Sequence, residues 1–215
     1  MNKKTTTINL ESVILFTRFP QPGKVKTRLI GRLGPQGAAD LHRKMTEQVI
    51  CQIQPALQSR EIQLQVYYYG GSQQEMTDWL GNNYTFCPQQ GNDLGRRMVH
   101  AFARTIRQGA ERTLLIGSDC PDIDAGIITS GLERLHSHDL VLGPSADGGY
   151  YLIGLPSGES NYANIFDNVD WGTDQVLNQT LTQAKRSGLS HTLLTKLNDI
   201  DRPEDLVYFN HHTCS

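Results

Sequence analysis

The stretch VILFTRFPQPG, residues 13–23, sets the pattern that the rest of the chain repeats. Its first five residues form a continuous apolar run, which is typical of a strand buried on both faces of a sheet. The next six residues must form a loop, because two prolines and a glycine are incompatible with regular structure there. A helix is predicted from Pro35, a residue favoured at the first helical position, with apolar side chains at helical spacing as far as Leu57.

Strands and helices alternate along most of the chain. Further strands are predicted at residues 62–69, 84–87, 113–117, 140–142, 150–155 and 191–197, and further helices at 76–80, from 93, around 127–135, at 173–186 and from 203. This alternation favours an α/β protein, a three-layer α/β/α domain with a mainly parallel sheet. Residues 143–171 interrupt the rhythm and are rich in Gly, Asn and Tyr. We interpret them as an inserted β and loop element over one edge of the sheet.

Composition bounds the class of protein. The chain has 215 residues, of which 38% are hydrophobic and 20% charged, as expected for one globular domain over 1–215 with residues 1–12 as an N-terminal tail. A formal net charge of −2 disfavours a general nucleic-acid binder. The four cysteines show no C-x-x-C spacing, so a structural zinc site is not expected. No apolar run approaches the ~20 residues of a membrane span, and no signal peptide is recognised, so we expect a cytoplasmic protein.

The loop after the first strand is strongly basic. It carries Arg18, Lys24, Lys26, Arg28 and Arg32, while no Asp or Glu occurs between residues 12 and 39. In an open α/β sheet, ligands bind outside the carboxyl ends of the strands. Cations on a glycine-containing loop at that edge, with a helix just beyond, suit a phosphate or diphosphate group, although a solvated basic loop is the alternative. The loop lacks the spacing of a P-loop, so an ATPase site is excluded.

Carboxylates follow the later strands. Asp119 and Asp122 come directly after the buried run 113–117, and Asp147, Asp199 and Asp201 lie in loops. A carboxylate at the end of a central strand can hold a hard divalent cation, which prefers oxygen ligands. Asp119 or Asp122 could equally cap a turn or a helix, as Asp commonly does.

Two features near these carboxylates are open to more than one interpretation. The pair Gly148-Gly149 would let the backbone approach a ligand closely, or would simply make a hairpin turn. Trp171 ends a loop just before a predicted helix, where it could stack on a sugar or base, or pack as a plug at the edge of the core.

Six motifs in order are more specific than any one of these features. They are FPQPGKVKTRL (19–29), GNDLGRRM (91–98), GSDCP (117–121), LGPSADGGYY (142–151), WGTD (171–174) and DIDRPEDL (199–206). Together they resemble a bacterial glycosyltransferase-A-like family that was long catalogued as a domain of unknown function. Its members are also called radical-SAM/selenodomain-associated transferases, and some are labelled arsenosugar-biosynthesis glycosyltransferases. The resemblance covers nearly the whole chain.

This resemblance implies a nucleotide-diphospho-sugar transferase (GT-A-like) fold, in which the first βα loop wraps the nucleotide and an Asp after a central strand binds Mg²⁺ or Mn²⁺. Carried over by motif, nucleotide and diphosphate binding is assigned to Pro22, Gly23, Lys26, Thr27, Arg28, Asp93 and Arg97. Metal binding is assigned to Asp119, with Asp199 or Asp201 as a second acidic ligand. Sugar or acceptor binding is assigned to Gly148, Gly149, Tyr150, Trp171 and Thr173.

The first functional hypothesis is a metal-dependent glycosyltransferase that moves a sugar from a nucleotide-diphospho-sugar to a small-molecule acceptor. Lys26 and Arg28, together with the cation, would stabilise the leaving diphosphate. Asp147 and Asp174 are the candidates for the general base, because both lie on loops beside glycines. Asp147 is favoured, since Asp174 lies at the start of the predicted helix 173–186, whose dipole favours the ionised carboxylate and so weakens it as a base.

Two alternatives stay open. The predicted strand 113–117 is followed by Ser118 and then by Asp119-Cys120-Pro121, which resembles the Asp-x-Pro of nucleotidyltransferases, whereas many glycosyltransferases of this fold carry Asp-x-Asp. Nucleotidyl transfer with release of pyrophosphate is therefore the second hypothesis. A non-catalytic nucleotide-binding protein is the third, because a fold alone does not establish catalysis.

Overall fold

The computed structural model describes residues 10–158 and 162–209, so residues 1–9 of the predicted tail and residues 159–161 of the predicted insertion lie outside it. The strands are β1 (Glu11–Arg18), β2 (Gln63–Tyr69), β3 (Thr85–Pro88), β4 (Arg112–Gly117), β5 (Leu140–Pro144), β6 (Tyr150–Pro156) and β7 (His191–Leu193). The helices are α1 (Ile30–Ser59), α2 (Gln73–Leu80), α3 (Leu94–Arg107), α4 (Ala125–Arg134) and α5 (Val176–Arg186). Short 3-10 helices occupy Thr27–Leu29, Tyr162–Phe166 and Pro203–Tyr208.

The described strands form one seven-stranded sheet in the order β3-β2-β1-β4-β6-β5-β7. The pairs β1–β2, β1–β4, β2–β3 and β5–β7 are parallel, whereas β6 runs antiparallel to both of its neighbours. This mixed, mainly parallel sheet confirms the predicted fold class. Among the residues described, no helix is both long enough and apolar enough to cross a membrane.

Side-chain alternation along the strands builds a helical layer on each face of the sheet. In β1, Val13 and Leu15 pack into a cluster with α1, α2 and α4, while Ile14 and Phe16 pack into a second cluster with α3 and α5. Each strand residue of this run is almost wholly buried, which explains why the sequence shows a continuous apolar run and not an alternating one. The three layers are therefore α/β/α, as predicted.

The position of β6 differs from the sequence-based prediction. Residues 143–171 were expected to lie over one edge of the sheet, but β6 lies inside it, between β4 and β5. The turn at residues 145–149 joins β5 to β6 as an antiparallel pair, which needs no crossover helix. The apolar side chains of β6 are buried because both of its edges and both of its faces are covered. The prediction of an edge position is therefore wrong.

Several element boundaries also shift. β1 begins at Glu11, inside the predicted tail of residues 1–12, and α5 begins at Val176, after the predicted start at Thr173. Helix α1 contains one residue with non-helical backbone, Gly34 at φ 71°, so the regular helix runs from Pro35 as predicted. The carboxyl ends of β1, β4 and β5 and the turn that opens β6 share one edge of the sheet.

Candidate functional site

A cavity of about 570 Å³ opens at this edge of the sheet. Its walls come from the loop after β1, the end of β4, the turn before β6, the first turns of α3 and the segment around residues 199–201. The predicted site residues that line it are Lys26, Thr27, Arg28, Arg97, Asp119, Asp147, Tyr150, Asp199 and Asp201. The predicted residues that do not line it are Pro22, Gly23, Asp93, Gly148, Gly149, Trp171, Thr173 and Asp174. The basic loop and the acidic strand ends therefore meet in one place.

Lys26 joins three parts of this cavity. Its backbone is left-handed, at φ 46°, and its side chain is only 3% exposed. The ammonium group lies 2.7 Å from Asp119 Oδ1 and donates a hydrogen bond to the carbonyl oxygen of Ile200. The Ile200 amide in turn donates to the carbonyl oxygen of Asp119 at 2.9 Å. Lys26 thus ties the loop after β1 to the end of β4 and to the C-terminal segment.

Asp119 is held ionised in spite of its position at the base of a concave site. Desolvation raises its pKa, but the charges of Lys26, His42 and Arg18 and the hydrogen bond from Lys26 outweigh it, so the pKa lies below the ordinary value. Just over half of the carboxylate side chain is still accessible from the cavity. The site therefore presents a negative charge that a ligand or a cation can reach.

Arg28 and Asp201 form a second ion pair across the cavity mouth. Both groups are more exposed than Lys26, so this pair contributes less to stability than the buried contact. The Asp201 and Arg202 amides both donate to Asp205 Oδ2, at 3.0 and 2.7 Å, which fixes the backbone that carries Asp201.

Asp147 is the centre of a hydrogen-bonded turn. Its Oδ1 accepts from the Ser145 hydroxyl at 2.5 Å and from the Gly149 amide at 2.9 Å. Its own amide donates to Asp199 Oδ1 at 3.3 Å. Burial first, and then the charge of Asp147, raise the pKa of Asp199. Two carboxylates therefore lie close together on the acidic side of the cavity.

The segment 171–177 supports this turn from outside the cavity. Gly148 has φ +88°, and a Cβ atom there would lie 2.3 Å from the carbonyl oxygen of Asp174. The Leu177 amide donates to the Gly148 carbonyl at 3.0 Å. Asp174 is exposed, and its Oδ1 accepts a hydrogen bond from the side-chain Nε2 of Gln175 at 3.0 Å. The glycine thus serves a close backbone contact within the protein, and the structure does not bring Asp174 to the cavity wall.

Trp171 packs as part of the core edge. Its ring lies 6.4 Å from the ring of Phe166, and a Cβ atom on Gly95 would be 2.8 Å from it. The Thr173 hydroxyl donates to the Asp170 carbonyl at 2.8 Å, within the same loop. Of the two interpretations open for Trp171, the packed plug fits the structure, while Gly172 beside it lines the cavity.

Asp93 is the N-cap of α3, since its carboxylate accepts from the Arg96 amide at 2.7 Å. The motif around it therefore serves the start of the helix, and Arg97, one turn later, lines the cavity together with Leu94 and Met98 of the same motif. Pro22 and Gly23 are exposed, and Gly23 has φ +78°, so they shape the loop that carries Lys26.

His42 lines the cavity but lies outside the six sequence motifs. It is buried on α1, and its Nε2 lies 3.0 Å from the Arg18 carbonyl and 3.3 Å from the Thr17 hydroxyl. Burial lowers its pKa, although the charge of Asp119 opposes that effect. Ser118 continues this polar network at 3.3 Å from Thr17. The sequence does carry a signal for His42: it is a polar residue next to Leu41, on a helix face that is buried.

The carboxylates do not form a closed set of metal ligands. Within residues 10–158 and 162–209, no group of three or more His, Cys, Asp or Glu is arranged to hold a metal ion. Mg²⁺ is commonly bound by one or two carboxylates, with substrate phosphates and waters as the other ligands. The repulsion between Asp147 and Asp199, and the accessible carboxylate of Asp119, fit a hard cation of that kind.

Comparison with solved structures shows the same fold in several transferases. The 4-diphosphocytidyl-2C-methyl-D-erythritol synthase of Anaerococcus prevotii aligns with a TM-score of 0.58 at 9% identity, over 93% of this chain and 96% of its own. A nucleotidyl transferase of Methanothermobacter thermautotrophicus aligns with a TM-score of 0.58 at 15% identity, over 93% and 95%. At these identities the likeness establishes the fold alone.

A third structure is much more similar. It comes from Desulfovibrio desulfuricans G20 and carries the description of a nucleotide-diphospho-sugar transferase. It aligns with a TM-score of 0.84 at 34% identity, over 92% of this chain and 85% of its own. No protein of curated function matches the chain in sequence. A family model matches residues 52–173, and the chain therefore belongs to the family described as "Uncharacterized protein conserved in bacteria (DUF2064)".

Proposed function

We propose that the protein is a metal-dependent glycosyltransferase, which transfers a sugar from a nucleotide-diphospho-sugar to a small-molecule acceptor. The observation that carries this proposal is the meeting of Lys26 and Asp119 in one cavity at the carboxyl edge of the sheet. In open α/β sheets this edge is where nucleotide ligands bind. The similarity to the Desulfovibrio protein, through its description, supports a nucleotide-diphospho-sugar as the donor.

The basic side of the cavity would bind the diphosphate. The cavity is lined by the consecutive residues 24–28, which include Lys24, Lys26, Thr27 and Arg28, so cations and a hydroxyl converge on one volume. As the sugar leaves, negative charge grows on the nucleoside diphosphate, and fixed ammonium and guanidinium groups stabilise it without reorganisation. Lys26 is the best fixed of these groups because it is buried and held by two partners.

The acidic side of the cavity would receive the acceptor. Asp147 lines the cavity, and the Ser145 hydroxyl and the Gly149 amide hold its Oδ1, which leaves the second oxygen to accept a proton from an acceptor hydroxyl. A general base must come within hydrogen-bond reach of that proton. Asp174 lies outside the cavity wall, so the geometry favours Asp147 for this role.

Asp119, with Asp199 or Asp201, would hold Mg²⁺ or Mn²⁺, which when bound supplies Lewis-acid stabilisation of the diphosphate. Asp201 is the weaker candidate of the latter two, because Arg28 engages its carboxylate. Phosphate binding to Arg28 would be needed to free it.

Nucleotidyl transfer is the second candidate. Three cationic residues of the cavity wall, Arg18, Lys24 and Arg97, form no ion pair with the residues that the structure describes. This surplus of positive charge would also accommodate a triphosphate. In that reaction the same groups would stabilise a leaving pyrophosphate.

A thermal-shift screen tests the proposal. UDP-, GDP-, CDP- and ADP-sugars and the matching triphosphates would each be added with and without Mn²⁺, since a ligand that binds the folded state raises its melting temperature by mass action. We expect a Mn²⁺-dependent shift with one class of nucleotide-sugar, lost in Asp119→Asn. Asp122→Asn, which changes a carboxylate outside the cavity wall, should behave as the wild type. No shift with any compound would contradict the proposal, and a shift with triphosphates alone would favour the second candidate.

A further inference from the structure

Two guanidinium groups meet one aromatic ring at the cavity mouth. Tyr69 and Arg18 are the last residues of adjacent parallel strands and are paired in register, so their side chains emerge on the same face of the sheet. Arg97 reaches this ring from α3, which packs on that face. The guanidinium carbon of Arg18 lies 5.6 Å from the ring centroid of Tyr69, and that of Arg97 lies 4.5 Å from it. Both distances lie within the range of cation–π attraction.

Arg97 has a second fixed contact on its inner side. Its Nε donates to the carbonyl oxygen of Gly91 at 3.1 Å. Gly91 approaches the first turn of α3 so closely that a Cβ atom there would lie 2.7 Å from the Arg97 amide nitrogen. The guanidinium group of Arg97 is thus held at Nε by the carbonyl oxygen of Gly91 and, in addition, by the ring face of Tyr69. Its outer N–H groups make no hydrogen bond to the residues described here.

The way these two cations are held separates them from the two ion-paired cations of the cavity, Lys26 and Arg28. Asp119 and Asp201 neutralise Lys26 and Arg28, respectively. An aromatic face attracts a guanidinium group without neutralising its charge and without occupying its N–H donors. Within residues 10–158 and 162–209, no ion pair neutralises Arg18 or Arg97, so both present positive charge to whatever enters the cavity, and the hydrogen bond to Gly91 also fixes the orientation of Arg97. Phosphate groups are the ligands that such a planar fork of donors matches best.

We propose that Tyr69 is a positioning residue, which fixes Arg18 and Arg97 as a guanidinium pair for the phosphate chain of the nucleotide ligand. This inference rests on the proposed function in one respect, namely that a phosphorylated ligand enters the cavity. Tyr69 itself is 48% exposed and does not line the cavity, so it acts through the two arginines. Its ring lowers the cost of ordering two long side chains when the ligand binds.

The test is calorimetric titration with inorganic pyrophosphate, which carries the shared chemistry of all candidate nucleotides and no base. The variants are Tyr69→Phe, which keeps the ring, Tyr69→Leu, which removes it, and Arg97→Ala. Arg96→Ala is the matched control, because Arg96 is adjacent on α3 but pairs with Asp167 at 3.1 Å outside the cavity. Each titration is repeated at several salt concentrations, and each variant's melting temperature is measured to confirm that it is folded.

We expect Tyr69→Phe and Arg96→Ala to bind pyrophosphate within about two-fold of the wild type, and Tyr69→Leu to bind about 3- to 10-fold more weakly, as one or two exposed cation–π contacts would give. Arg97→Ala should weaken binding further and reduce its salt dependence. If the role of Tyr69 were purely structural, Tyr69→Phe would not retain the affinity that Tyr69→Leu loses. Wild-type affinity in Tyr69→Leu, or equal losses in Phe and Leu, would overturn the inference and leave the proposed function intact. Absence of pyrophosphate binding by the wild type would overturn both.

Discussion

Replacement of Lys26 by Met tests the contact at the centre of the site. Methionine keeps a flexible apolar stem in a position whose side chain is 3% exposed, but it removes the ammonium group. Two interactions are lost with it, the ion pair with Asp119 at 2.7 Å and the hydrogen bond to the Ile200 carbonyl. Lys24→Met is the matched control, since Lys24 is an exposed lysine on the same loop.

The magnitude follows from the surroundings of the two partners. A hydrogen bond to a charged group contributes about 1.5–3 kcal/mol, and a buried acceptor left without its donor costs about 1–3 kcal/mol. Asp119 is more than half exposed, so water compensates much of its loss, and its part falls to about 1 kcal/mol or less. We therefore expect Lys26→Met to lower the free energy of unfolding by about 2–3 kcal/mol. For a domain of this size that corresponds to a decrease in Tm of about 4–12 °C.

Urea unfolding at neutral pH gives the free energy directly, and a double-mutant cycle with Asp119→Asn isolates the pair. We expect a coupling energy of at least about 0.5 kcal/mol, as is usual for residues in direct contact. Lys24→Met should change stability by less than about 0.5 kcal/mol, as most surface substitutions do. Equal stabilities of Lys26→Met and Lys24→Met would refute the reasoning, because the loop would then not depend on the buried ammonium group.

The remaining predictions concern the acidic turn, a close backbone contact and a pH effect. Asp147→Asn should lower kcat by about 10²–10⁴-fold with donor affinity nearly unchanged, as expected for loss of a general base. Asp174→Asn should keep near-normal turnover, with turnover measured as nucleotide release in both variants. The reverse result would exchange the roles of the two residues. Gly148→Ala should destabilise the fold by about 1–3 kcal/mol or more in urea unfolding, because its φ of +88° and the contact with Asp174 leave no room for a Cβ atom. Gly158 has open space around it, so Gly158→Ala should have little effect on stability. Burial raises the pKa of Glu11, but hydrogen bonds and charges from Arg60 and Arg112 outweigh burial, so the pKa in the folded protein is lowered. Glu11 therefore contributes stability when the pH is above its ordinary pKa, and this stability is lost as the pH falls through the lowered pKa of the folded state. Glu11→Gln should therefore be less stable than the wild type at pH 7 and should show a smaller loss between pH 5 and pH 3; parallel pH curves would contradict this.

The layers of the fold follow from the sequence because local patterns encode them. The apolar run of β1, the loop after it and the start of the regular helix at Pro35 all lie where composition and turn chemistry place them. The direction of β6 was not predictable in the same way. A run of buried apolar residues indicates a strand, but it carries no information about which neighbours the strand pairs with. The short turn at residues 145–149 decides the antiparallel pairing.

The site divides along similar lines. The sequence groups the basic loop and the acidic strand ends, because both follow strands whose carboxyl ends share an edge. It does not separate residues that face the cavity from residues that support it. Trp171 and Asp174 belong to the same motif as Gly172, yet only Gly172 lines the cavity. Tyr69 contacts arginines that are distant in the sequence, for which a local pattern offers no signal, and the signal for His42 is a polar residue beside Leu41 on a buried helix face.

Calorimetric titration of a nucleotide-sugar and the triphosphate of the same base, each with and without Mn²⁺, tests the central claim most directly. If the cavity binds the diphosphate of a glycosyl donor beside the contact of Lys26 with Asp119, the nucleotide-sugar should bind the wild-type protein with Mn²⁺-dependent affinity. Asp119→Asn should lose that dependence and keep its fold. Mn²⁺-dependent binding of the triphosphate, with no binding of the nucleotide-sugar, would contradict the account.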